Sequence, residues 1–210
     1  MSQNLYFASG HSVYYPDPSI GLSRFGTTPS TIGNVLREAY TYAGLDATAF
    51  ACGAYLSTVT HMVSARLRGA LEGFDRPEGE RVPRVYSRER NLSLIVAAGN
   101  EYVGFAGSSS SVSTRSRKSL TLLPSADQLS SQLEFDLGIE GINLPKTQND
   151  NEHREEVWYF MHRLHGGVVH SEISLASSMT PSKFPSGWKV RIILPPLTLT
   201  PVIMSELMAA

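Results

Sequence analysis

The chain predicts an α/β fold, with α+β as its variant, on three observations. Apolar side chains recur at helical spacing between residues 31 and 73, and two short apolar runs at 92–97 and 102–106 flank a glycine-asparagine turn. A third run, 188–194, alternates and then becomes wholly apolar before Pro195-Pro196. These predict a central mixed sheet with a hairpin of strands 92–97 and 102–106, flanked by helices, with two N-terminal helices packed on it.

Residues 1–30 read as an irregular arm, because Pro16, Pro18, Gly21, Gly26 and Pro29 interrupt any regular element. Within it, residues 1–10 resemble an altered protease-tag remnant, and no function is placed on them. Residues 31–210 read as a single α/β domain. At Thr28-Pro29-Ser30-Thr31, hydroxyl side chains can cap the orphan amides of a helix whose stripe is Ile32, Val35, Leu36, Ala39 and Tyr40. Gly44 closes that helix, and Asp46 caps a second one carrying Phe50, Tyr55, Val59, Met62, Val63, Leu67 and Leu71 to Gly73. Inside this pattern Cys52 reads as a small buried hydrophobe, the alternative being a nucleophile paired with His61 or another histidine.

The hairpin turns at Gly99-Asn100. Ser108 to Ser119 is a low-complexity loop whose Arg115, Arg117 and Lys118 are candidate phosphate or nucleic-acid contacts, although the loop lacks aromatics on which bases stack. Residues 120–123 read as an edge strand, 125–137 as a weak helical stripe and 138–150 as loop. A helix over 151–164, acidic at its start, turns Val157, Phe160, Met161 and Leu164 inward. Gly166-Gly167 breaks it. A further helix from Val168 carries Ile173, Leu175, Ala176 and Met179 to Pro181, and a last one runs over 201–210.

With a net charge of −1, the chain has no global field to draw nucleic acid or an anionic membrane, so any such binding is local. One cysteine excludes intrachain disulfides, thiolate clusters and a redox pair. No run approaches the ~18 apolar residues that cross a bilayer, and no basic patch precedes an apolar stretch at the start. The expectation is a soluble, intracellular protein without membrane partners. There is no nucleophile elbow and no phosphate loop, and Gly99, Gly104 and Gly107 follow hairpin spacing, not that of a dinucleotide fingerprint.

Chemistry concentrates in Val168-Val169-His170-Ser171-Glu172-Ile173 and Thr198-Leu199-Thr200-Pro201-Val202-Ile203-Met204-Ser205. Residues two apart lie about 200° apart around a helix, so His170 and Glu172 serve one centre only at a helix N-terminus. There His170 ligates a metal and Glu172 moves protons at the bound water. Hairpin, helix with H-x-E, strand and a proline opening a helix stand in an order that resembles the cytidine and nucleic-acid deaminase superfamily, over roughly residues 91 to 208. In that resemblance His170 matches the metal-ligand histidine, Glu172 the proton-shuttling glutamate, and Pro201 the proline of the P-C-x-x-C motif. Val202 and Ser205 stand where the zinc-binding cysteines belong. The resemblance therefore implies a degenerate deaminase-like fold lacking the cysteine pair, which binds a nucleotide, a single-stranded nucleic acid or a protein partner with little or no turnover. If active, it is a hydrolase acting on a nucleobase or a related amide or amidine. Zinc is the implied cofactor, and the missing cysteine ligands argue against it.

Two alternatives stay open. His162, His165 and His170, with Glu156 or Glu172, form a possible imidazole and carboxylate ligand set for a metal-dependent hydrolase that needs no cysteine. The proline-rich arm and apolar tail instead suit a self-assembling structural subunit, such as a viral matrix or coat protein, and hence a homo-oligomer.

Overall fold

The computed structural model describes residues 6–8, 12–15, 17–45, 54–76, 83–107, 111–114, 156–179 and 184–199. Strands β1 (Tyr6–Ala8) and β2 (Ser12–Tyr14) precede a short helix α1 (Pro18–Leu22) and a 3-10 turn (Ser23–Phe25). Two long helices follow, α2 (Pro29–Leu45) and α3 (Ala54–Ala70), then β3 (Arg84–Ser87), β4 (Leu92–Ala98), β5 (Glu156–His165), β6 (Val168–Met179), β7 (Pro185–Ile193) and β8 (Leu197–Thr198). The strands make one mixed sheet in the order β1-β2-β7-β6-β5-β4-β3, with β8 also paired to β6. Neighbours are antiparallel except β2 with β7 and β4 with β5. No helix among the described residues is long and apolar enough to cross a membrane.

The α/β expectation holds, and so do the two N-terminal helices. Thr28 Oγ1 accepts from the Thr31 amide at 3.2 Å, capping α2 as its hydroxyl run suggested. Ile32, Val35, Leu36, Ala39, Tyr40 and Ala43 of α2 are buried with Val59, Val63 and Leu67 of α3. They pack on one face of the sheet against Leu94, Val96, Trp158, Phe160, Val169, Ile173 and Ile192. At up to ~3 kcal/mol for each fully buried large apolar side chain, this helix-covered layer is the main source of stability.

Other expectations change. The arm is not wholly irregular: residues 12–14 are in the sheet, and Asp17 caps α1 by accepting from the Ser19 amide at 2.9 Å. Residues 156–165 and 168–179 are strands, not the helices expected over 151–164 and from Val168. The chain is buried on both faces of the sheet here, so apolar side chains point alternately both ways and mimic helical spacing. Gly166 (φ 55°) and Gly167 (φ 77°) join the strands in a two-residue turn flanked by the His165–Val168 pair. Two consecutive positive φ angles are what a twisted two-residue hairpin requires.

The expected partner strand at 102–106 is also absent. Residues 101–104 and 106–107 are turns, and β4 pairs instead with β3 and β5. The chain leaves the sheet at Gly99, where an added Cβ would stand 2.2 Å from Val103 Cγ2, and folds back over the second face. There Val103 and Val112 cover Ile95, Ala97, Val157, Tyr159, Met161, Ala176 and Trp188. Trp188 joins this face because the register with β6 slips between Leu175 and Ala176, leaving Lys189 as an extra residue in β7. The cover is pinned by Asn100 N–H to Ser113 C=O at 3.0 Å and by Trp188 Nε1–H to Val112 C=O at 3.0 Å. Cys52, the 120–123 strand, the 125–137 stripe and the 201–210 helix lie outside the described residues.

Candidate functional site

On a strand, residues two apart share a face, so His170 and Glu172 of β6 both point to the second face of the sheet. Met161 and Arg163 of β5 face the same way, paired in register with Glu172 and His170. Glu172 is fully buried, and its two oxygens are committed. Arg191 donates through Nε to Oε1 at 3.0 Å and through Nη2 to Oε2 at 2.5 Å. Ser174 Oγ donates to Oε1 at 2.8 Å, and the Gly104 amide donates to Oε2 at 2.9 Å. Arg191, also buried, sends a further Nη2 bond to the Phe105 carbonyl at 3.1 Å. Four donors around one carboxylate leave no accessible lone pair with which to deprotonate a water. The general acid and base role expected of Glu172 is replaced by a structural one.

His170 sits at the edge of this network and is partly buried. Its ring lies 4.9 Å from the Phe105 ring at 31°. Arg163 places its guanidinium carbon 5.3 Å from the same Phe105 centroid, inside the range of a cation over an aromatic face. Arg163 Nε is buried without a hydrogen-bond partner, and no carboxylate pairs with Arg163 among the described residues. Tyr102 and Phe105 expose 39% and 42% of their surfaces, so this corner offers two aromatic side chains to solvent beside a cation that no described carboxylate pairs. His165, exposed, follows Arg163 on the same side of β5 by strand alternation.

Burial, followed by the charges of Arg163 and His165, holds the His170 imidazole below its ordinary range, so it is neutral at pH 7. The unfolded chain then takes up this proton more readily than the folded one. The contribution is therefore present above the ordinary histidine value of about 6.5 and is lost as pH falls through the lower folded value. A His170→Gln variant should lose less stability than the parent as pH falls below about 6.5 in denaturant titrations, because it removes a group whose proton uptake favours the unfolded chain. An unchanged acid-side slope would contradict this assignment.

His162 lies on the opposite, helix-covered face and is fully buried. Thr60 Oγ1 donates its hydrogen to Leu56 C=O at 2.7 Å, so His162 Nε2–H donates to Thr60 Oγ1 at 3.4 Å. His162 Nδ1 then accepts from the Tyr40 hydroxyl at 2.9 Å. Desolvation raises the Tyr40 phenol far above its ordinary range, keeping it a donor. The sheet thus separates His162 from His165 and His170, and the three cannot hold one ion. Among the described residues no group of three or more histidine, cysteine, aspartate or glutamate side chains could hold a metal. Zinc does not fit His170 and Glu172 either, since the carboxylate is consumed by its four donors. Arg115, Arg117, Lys118 and the 201–205 segment lie outside the described residues.

The sequence singled out His170 and Glu172, at an expected helix tip, but not the Phe105, Arg163 and Arg191 that meet them on the sheet. A signal for Arg191 existed: an arginine inside Val190-Arg191-Ile192-Ile193 must find a counter-charge when its strand is buried. Phe105 stands in a Gly104-Phe105-Ala106-Gly107 setting, which suits a turn that presents one aromatic. Compared with known families, curated proteins and solved structures, the chain matches none.

Proposed function

We propose that the protein is a binding module for single-stranded nucleic acid, without turnover of its own, and that the Phe105 corner is where the strand docks. The observation that carries this reading is the Arg163 guanidinium over a solvent-facing Phe105 ring, with no carboxylate paired to it among the described residues. A base offers a π-face to Phe105 or Tyr102, and its phosphate offers an anion to Arg163. Such binding is local, as a chain of net charge −1 requires. The cationic stretch Arg115, Arg117 and Lys118 follows Thr114, which is bridged to Gly99 in the same cover. The deaminase-like resemblance points to the same ligand class. Two features speak for binding over hydrolysis: the saturated Glu172, and H-x-E carried on a strand where the resemblance expects a helix tip.

Fluorescence anisotropy with a labelled single-stranded oligonucleotide at several salt concentrations tests this. The logarithm of the affinity should fall linearly with the logarithm of the salt concentration, and Arg163→Ala should make that slope shallower. Phe105→Ala should weaken binding by about 1–3 kcal/mol, roughly fivefold to a hundredfold, the worth of one stacked base. Absence of binding at low salt, or a Phe105→Ala variant that binds like the parent, would sink the proposal. A loss of concentration-dependent self-association in the same variant would instead assign the corner to contact between copies.

A further inference from the structure

We infer that Glu172 and Arg191 are positioning residues that latch the Phe105 turn onto the sheet, so that the buried ion pair sets the geometry of the exposed binding surface. This rests on the nucleic-acid reading of that surface. The pair grips both ends of one short backbone unit: Glu172 Oε2 accepts from the Gly104 amide and Arg191 Nη2 donates to the Phe105 carbonyl. Fixing those two groups fixes the Phe105 Cα between them, and with it the ring that lies against His170 and Arg163. Ser174 Oγ holds the other carboxylate oxygen, so the carboxylate cannot rotate away from Gly104 without losing a second bond.

Gly104 is part of the device. Its φ of 84° lies in the left-handed region, and an added Cβ would stand 2.9 Å from His170 Cβ. Only glycine lets the backbone come down close enough for its amide to reach the buried carboxylate. The H-x-E spacing thereby acquires a purpose unrelated to catalysis. His170 meets the ring of Phe105, and Glu172, two residues on and on the same face, holds the preceding amide.

An ion pair suits this place better than two apolar groups do. The turn presents one donor and one acceptor to the sheet side by side, and a carboxylate beside a guanidinium supplies the complementary acceptor and donor. With apolar side chains there, Gly104 N–H and Phe105 C=O would lose their partners and seek water, which lifts the turn. Buried pairs of this kind are often replaceable by apolar residues of similar volume without loss of fold, which separates positioning from stability.

The test uses the full chain with the double substitution Glu172→Leu and Arg191→Met. Three quantities are measured together: the unfolding midpoint, hydrogen exchange at the Gly104 amide, and affinity for a labelled single-stranded oligonucleotide. The expected result is a folded protein whose β5–β6 amides stay protected, whose Gly104 amide exchanges freely, and whose affinity falls about tenfold or more, as release of one stacking platform implies. A folded double variant with Gly104 still protected, or with undiminished affinity, overturns the inference. Should the double variant not fold, Arg191→Lys takes its place. It keeps the charge but not the fork that serves Glu172 and Phe105 together, so faster Gly104 exchange and weaker binding are again expected. If the unmodified chain binds no oligonucleotide, the surface reading fails while Gly104 exchange still decides the latch.

Discussion

Replacing Glu172 alone, or Arg191 alone, with alanine is expected to destabilise the fold by about 3–5 kcal/mol, because each leaves the other charge buried without its counterpart. Both side chains are almost completely enclosed, at 0% and 2% exposure, so water cannot replace the lost partner without opening the cover. The loss also orphans backbone groups. Without Glu172 the Gly104 amide and the Ser174 hydroxyl lose their acceptor, and without Arg191 the Phe105 carbonyl loses its donor. Urea unfolding monitored by tryptophan fluorescence measures this, with Trp188 reporting because it packs in the same cover. The midpoint should fall with an unchanged slope, the mark of lost stability and not of a different unfolded state. The double alanine variant should lose less than the sum of the singles, since the stranded charge is then absent. Single variants within about 1 kcal/mol of the parent would show that water reaches the pair, and the enclosed-network description would fall.

How much of this was legible in the sequence depends on what each segment buries. Helices α2 and α3 were readable because each buries one stripe, and Ile32, Val35, Leu36, Ala39 and Tyr40 leave no strand interpretation. Strand β5 was not, because Val157, Phe160, Met161 and Leu164 obey helical spacing while Trp158 and Tyr159, equally apolar, fill the positions between them. A run buried on both faces carries no period, and length alone does not settle it. The glycine pair at 166–167 was the discriminating feature, and it reads as a helix break or a hairpin turn according to what flanks it. The same ambiguity governed the site. As a helix, 168–178 puts His170 and Glu172 on different faces. As a strand, it puts them on one, opposite the face that takes His162. The residues of interest were visible, and their partners were not, because Gly104 and Phe105 reach them from about seventy positions away.

Truncating His162 to alanine should destabilise the fold by about 3–5 kcal/mol, from a core cavity and an orphaned Tyr40 hydroxyl together. Its imidazole fills the space between α2, α3 and β5, with the Tyr40 ring edge-on at 5.7 Å. A metal ligand would behave differently. Loss of a bound ion would be mimicked by a chelator and by removal of His165 or His170, whereas the role seen here is confined to one face of the sheet. Thermal unfolding should therefore respond strongly to His162→Ala, weakly to His165→Ala, and not at all to prolonged dialysis against EDTA. Tyr40→Phe adds the sharper comparison. It keeps the ring and removes only the hydroxyl, leaving His162 Nδ1 without its donor, so it should cost about 1–3 kcal/mol and add less in the His162→Ala background than alone. Full additivity of the two would mean that the hydroxyl and the imidazole do not share a bond, and the reading of His162 as a core residue, not a ligand, would lose its physical basis.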